Sequence, residues 1–170
     1  GYEDREAMLA AAKMILDRHD PKTTIVNVGA TESGIGEVYE LARSLGFETT
    51  GIVSSLAKKE KAQLARHVQT VIFVQDQTWG GVVPGTERLS PTSQAMVACS
   101  DQLIAIGGGP VARDELHAAK RAGKKYEFIP ADMNHQAAVE KAKKLGQATP
   151  SDFRGAAHEI FGRPRQGDPR

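Results

Sequence analysis

The chain has 170 residues, enough for one domain around a single core, and 40% of them are hydrophobic. Its 22 Lys and Arg nearly cancel its 21 Asp and Glu, so no overall charge marks it as a general binder of nucleic acid or of an anionic membrane. The single cysteine, Cys99, rules out an intramolecular disulfide framework, and no apolar stretch has the length of a membrane span or signal sequence, so a cytoplasmic protein is expected.

In chain order, residues 2–18 carry Met8, Leu9, Ala12, Ile15 and Leu16 at helical spacing, and "HDPK" at 19–22 ends that helix. The β-branched run "TTIVNVGA" (23–30) predicts a first strand, and Ile35, Val38, Ala42 and Leu45 predict a helix after it. A second strand is expected at 49–55, then a Lys-rich helix reaching about Arg66, then a third strand, "TVIFV", at 70–74. A long loop leads to a helix from Pro91, in which Cys99 beside Met96 and Val97 reads as a small buried hydrophobe. "QLIAI" (102–106) is the fourth strand, a helix follows from Pro110 to about Ala122, and "KYEFIP" (125–130) is the fifth strand. A helix over 134–145 stops at Gly146, and "SDF" at 151–153 starts a last short helix with Ser151 as its expected cap.

Short apolar strands alternating with helices predict an α/β fold: a Rossmann-like three-layer sandwich whose five-stranded parallel sheet is covered on both faces. Right-handed crossovers favour the strand order 3-2-1-4-5, in which the switch point opens a ligand crevice between strands one and four. The expected organisation is one domain over 1–162, with residues 1–20 as its N-terminal helix, followed by a polar tail at 163–170.

Two glycine-rich loops, "GATESGIG" (29–36) and "GGGPVARDE" (107–115), fall at that crevice. Glycine lets an anion approach backbone N–H groups, and the first turn of a helix supplies unpaired donors and a positive dipole end. Pro110 suits the first helical position, where a missing N–H costs nothing. The candidate ligand-binding residues are therefore Gly29, Thr31, Ser33, Gly34 and Gly36 in the first loop, and Gly107, Gly108, Gly109 and Arg113 in the second. Tyr39 stands where a dinucleotide fingerprint has its third glycine, and no Gly-Lys-Ser or Gly-Lys-Thr follows either loop, so neither an NAD site nor a Walker A loop is read here.

The loop at 75–91 is long for a compact α/β unit and carries the only tryptophan, Trp79. Stacking on a base and packing against the domain or a second subunit are both open to it. The five histidines are scattered without metal-ligand spacing, so no metal is expected, and no cofactor.

The segment "SDQLIAIGGGPVARDEL" (100–116), preceded by "SPTSQAMVAC" (90–99), resembles the SLOG superfamily, which includes the lonely-guy phosphoribohydrolases often labelled lysine-decarboxylase-like. In that family a Pro-Gly-Gly-x-Gly-Thr-x-x-Glu motif binds a 5′-phosphate and supplies a catalytic glutamate. Gly108, Gly109 and Glu115 fall on matching positions. The element order agrees from residue 23 to about 146. Val111 and Ala112 replace the Gly-Thr pair, and the family's catalytic arginine falls near Thr92, leaving Arg88 and Arg113 as the nearest cations. The resemblance implies a divergent member that binds a nucleotide or phosphorylated nucleoside as sensor or carrier, in a homodimer. A phosphoribohydrolase using Glu115 with Arg88 or Arg113 is the second reading, and an assembly domain without ligand the third.

Overall fold

The computed structural model describes residues 1–163, so most of the tail at 163–170 lies outside the described residues. Helix α1 spans Arg5–Leu16, its first turn closed by the Asp4 carboxylate, which accepts from the Ala7 amide at 2.8 Å. Strand β1 (Ile25–Gly29) leads through a 3₁₀ turn, Gly34–Glu37, into α2 (Val38–Ser44). The order continues with β2 (Glu48–Ser54), α3 (Leu56–Lys59), β3 (Thr70–Val74), α4 (Pro91–Cys99) and β4 (Gln102–Ile106). It ends with α5 (Pro110–Arg121), β5 (Lys125–Ile129), α6 (His135–Lys144) and α7 (Ala156–Phe161).

All strand pairs are parallel, in a Rossmann-like α/β arrangement, but the sheet is divided. Strands β1, β2 and β3 form one ladder, with Val28 opposite Gly51 and Ile52 opposite Ile72; β4 and β5 form another, with Ile104 opposite Glu127. The expected single sheet of order 3-2-1-4-5 is thus corrected to three strands plus two, because β1 and β4 share no ladder among the described residues. Space takes the place of the missing hydrogen bonds. Two cavities, of about 370 and 530 Å³, are both lined by Asn27 and Val28 of β1 and by Ile104 and Ile106 of β4.

Helices hold the halves together. Met8, Ala12 and Leu16 of α1 pack in one cluster with Val38 and Ala42 of α2, Ile106 of β4, Val26 of β1 and Ile129 of β5. Helix α4 packs on β2 and β3 and also on α5. The Tyr2 hydroxyl, pushed up to about 12 by burial, donates to the Ile106 carbonyl at 2.7 Å and so satisfies one acceptor at the divided seam. Coverage of the sheet is incomplete: Ile25 and Ile72 remain 57% and 44% exposed, where both faces were expected to be covered.

Three further expectations are corrected. The Lys-rich helix stops at Lys59, because residues 62–65 run alongside the first glycine loop: the Glu32 amide donates to Gln63 and the Ala65 amide to Ala30. The last helix begins at Ala156 with Gly155 as its cap, so Ser151 caps nothing. Cys99 is exposed at the end of α4.

Gly51 shows how tightly the three-stranded half is built. Tyr39, fully buried, lays its hydroxyl over β2 and donates toward the Val28 carbonyl at 2.6 Å and the Thr50 carbonyl at 2.9 Å. A Cβ at position 51 would stand 2.7 Å from the Ala30 Cβ and 2.8 Å from the Tyr39 hydroxyl oxygen. Gly51→Ala is expected to destabilise the protein by about 1–3 kcal/mol through overpacking, read as a lower urea midpoint with an unchanged m-value.

Candidate functional site

The 370 Å³ cavity lies at the carboxyl ends of β1 and β4, between the three-stranded and the two-stranded ladder. Gly29, Thr31 and Gly34 border it on one side and Gly107, Gly108 and Gly109 on the other. Trp79, Thr92 and Glu115 complete the polar and aromatic lining, while Ile52, Leu103, Val111 and Leu116 make much of the wall apolar. Both glycine loops therefore meet at one place.

The three consecutive glycines have different surroundings. A Cβ on Gly107 would lie 2.9 Å from the Ala131 carbonyl oxygen, and one on Gly108 would lie 2.5 Å from the Ala112 Cβ. Gly108 also has φ +114°, which side chains rarely adopt, and its carbonyl accepts from the Ala157 amide at the head of α7. A Cβ on Gly109 meets nothing within 4 Å. Gly109 is the N-cap of the twelve-residue α5 and carries no capping side chain. Among the described residues, the amides of Gly108, Gly109, Val111 and Ala112 have no backbone partner, leaving four donors beside the positive end of the α5 dipole.

Four residues singled out from the sequence lie elsewhere. Gly36 is buried, and a Cβ there would overlap the Thr31 carbonyl, so this glycine closes the loop on itself. Ser33 borders a separate shallow pocket. Arg88 is exposed in the long loop. Arg113 pairs through Nε with Asp114 Oδ1 at 2.9 Å, one residue along the chain. Among the described residues, no Lys, Arg or His lines the 370 Å³ cavity. The first loop also opens a 3₁₀ turn, where an α-helix was expected to begin directly.

Glu115 lies in the cavity wall, and its carboxylate is held by a residue that the sequence alone did not single out. Ser93, fully buried in α4, donates from Oγ to Glu115 Oε1 at 2.6 Å and accepts from the Gly81 amide at 2.7 Å. Burial raises the Glu115 carboxyl to about 7, the Asp114 charge adds to the rise, and the Ser93 hydrogen bond works against it. Asp114 meanwhile accepts from the Val82 amide at 2.9 Å. Loop, helix cap and acid form one connected unit. A twenty-two-residue separation between Ser93 and Glu115 carries no periodic signal; only the packing of α4 on α5 brings them together.

Asn27 adds a second polar feature. Its side-chain oxygen is buried in the wall with no hydrogen-bond partner among the described residues, an arrangement that a polar ligand or bridging water would relieve. No group of three or more His, Cys, Asp and Glu is placed to hold a metal among the described residues. No helix among them is long and apolar enough to cross a membrane. Comparisons with protein-family models, with curated proteins and with solved structures returned no match.

The raised Glu115 carboxyl links stability to pH. The folded chain holds this proton more tightly than the unfolded chain, whose carboxyl titrates near 4.5. Its contribution is therefore complete below that pH, is lost as pH rises toward 7, and is level above it. A shift of this size corresponds to roughly 3–4 kcal/mol. Glu115→Gln is expected to flatten the fall in urea midpoint between pH 5 and pH 8 and to be the more stable protein at pH 8. Ser93→Ala, which removes the opposing hydrogen bond, is expected to shift the fall to higher pH.

Proposed function

We propose that this chain binds a phosphorylated nucleoside in the cavity between the two glycine loops, as a sensor or carrier. The observation that carries the reading is the set of four unpartnered amides at the head of α5, opening into a cavity beside a glycine whose missing Cβ leaves space. A phosphate there would accept from backbone donors and meet the helix dipole, with no side-chain cation needed. The Asn27 oxygen is an acceptor suited to a ribose hydroxyl or another ligand donor. The resemblance of residues 100–116 to the SLOG phosphate-binding motif supports the same reading, and with it a homodimer of Rossmann-like subunits.

Cleavage of a nucleoside 5′-monophosphate to base and ribose 5-phosphate is the second reading, favoured by one observation. Glu115 lines the cavity with a carboxyl near 7, in the range for a general acid or base. Its expected partners stand apart: Arg88 is on the exposed loop and Arg113 is engaged with Asp114. An oxocarbenium-like state would have the carboxylate alone to stabilise it, so binding without efficient turnover is preferred.

Gly109 offers a test that spares the fold. Its φ of −88° suits any residue, and Asp is a favoured N-cap, so Gly109→Asp is expected to fold at least as well as the wild type while its carboxylate occupies the anion position. Calorimetric titration with AMP is expected to give binding to the wild type and a loss of about tenfold or more in Gly109→Asp. No release of adenine is expected in the same samples. Release abolished by Glu115→Gln would establish the enzyme reading, and equal affinity in wild type and Gly109→Asp would overturn the amide cradle.

A further inference from the structure

Trp79 borders two spaces at once. It lines the central cavity, and it also lines a shallow side pocket with Thr31, Glu32, Ser33, Ala62 and Gln63. Its side chain is 43% exposed although it is the only tryptophan of the chain. A large aromatic left that open between two pockets offers apolar ring surface to a ligand.

The loop that carries it is fixed on both sides. Before the indole, Asp76 Oδ1 accepts from the Thr78 amide at 2.8 Å and from the Thr78 hydroxyl at 3.0 Å, while its other oxygen accepts from the Thr92 amide at the start of α4. After it, the Gly80 amide donates to Thr78 Oγ1, the Gly81 amide to Ser93 Oγ and the Val82 amide to Asp114. Glycine at 80 and 81 lets the backbone press against α4 and α5, since a Cβ at either would come within 3.0 Å of Ser93 Oγ or of Asp114 Oδ2. The indole is thereby presented beside the head of α5 with little ordering left to do on binding.

We propose that Trp79 is the stacking platform for the heteroaromatic base of the ligand, and that the side pocket beyond Thr31 receives the edge of that base. The proposal rests on the phosphate reading above and adds the class of group at the other end of the ligand. The side pocket supplies hydrogen-bonding groups for such an edge: the Gln63 side-chain amide, the Ser33 hydroxyl, which makes no cap hydrogen bond, and the Glu32 carboxylate, 4.0 Å from Arg66. Every base has a π-face, so the indole gives affinity and these groups give choice.

Because Trp79 is the sole tryptophan, intrinsic fluorescence reports this site alone. The test titrates AMP and ribose 5-phosphate, which lacks the base, into wild type, Trp79→Ala and Trp79→Phe, with calorimetry beside fluorescence. AMP is expected to quench the wild-type emission, and ribose 5-phosphate to bind calorimetrically without quenching. Trp79→Ala is expected to weaken AMP by about tenfold or more with ribose 5-phosphate unchanged, and Trp79→Phe to recover most of the AMP affinity. AMP binding with no quench and equal affinity in Trp79→Ala would overturn the platform and leave the phosphate reading standing. Binding of neither compound to the wild type would overturn both.

Discussion

The molecule depends on a pairing that its two central strands do not make. In a continuous parallel sheet β1 and β4 would exchange hydrogen bonds along their length; here they belong to separate ladders and face each other across open space. Strand edges without partners leave N–H and C=O groups to be satisfied by other means, and Tyr2 meets one such need at Ile106. What joins the halves is apolar packing, from α1 on one side and α4 on the other. The cavity at the strand ends is consequently continued down the seam, where the second cavity shares its β1 and β4 lining. The partnerless Asn27 oxygen lies in that extension, inside the wall of both cavities.

The electrostatics of the site follow from which side chains reach it. Arg113 sits one residue from Asp114 and pairs with it, so the cation nearest the glycines is turned to a local partner. Glu115, the next residue, faces the cavity and accepts a hydrogen bond from Ser93 Oγ. A carboxylate beside an anion site would repel the anion if fully ionised, whereas one that titrates near 7 carries part of its charge at neutral pH. Were an anion bound at the proposed amide cradle, it would raise the Glu115 carboxyl further, and a proton on the carboxyl would in turn favour the anion. The same Ser93 accepts from the Gly81 amide, two residues after Trp79, and so ties the carboxyl to the loop that bears the indole.

Much of the secondary structure was legible because it follows local pattern. The strand at 70–74 and the helix starting at Pro91 match the periodicity and the capping signals, Ser90 taking the cap position. Tertiary demands account for the misses. "KAQLARH" has helical composition, yet its backbone is used to pair with the first glycine loop, and Lys61 turns the chain with φ +54° to do so. The meeting of the two glycine loops was legible from topology, but the divided sheet was not. Hydrophobic runs specify that a strand is buried and say little about which edge it pairs with. The absence of cations from the cavity lining was equally hidden, since Arg88 and Arg113 are placed by a loop and by a neighbour-to-neighbour ion pair that spacing does not encode.

The run of three glycines shows why such a motif is ambiguous when read alone. Gly107 and Gly108 are required by the protein itself: the Ala131 carbonyl and the Ala112 side chain leave no room for a Cβ, and α7 docks on the Gly108 carbonyl. These two would be needed in a domain with no ligand at all. Gly109 is different, because its backbone suits any residue, the space before it is empty, and as a bare N-cap it forgoes a side chain that would stabilise α5. Of the three, Gly109 is the glycine that packing and backbone conformation do not require.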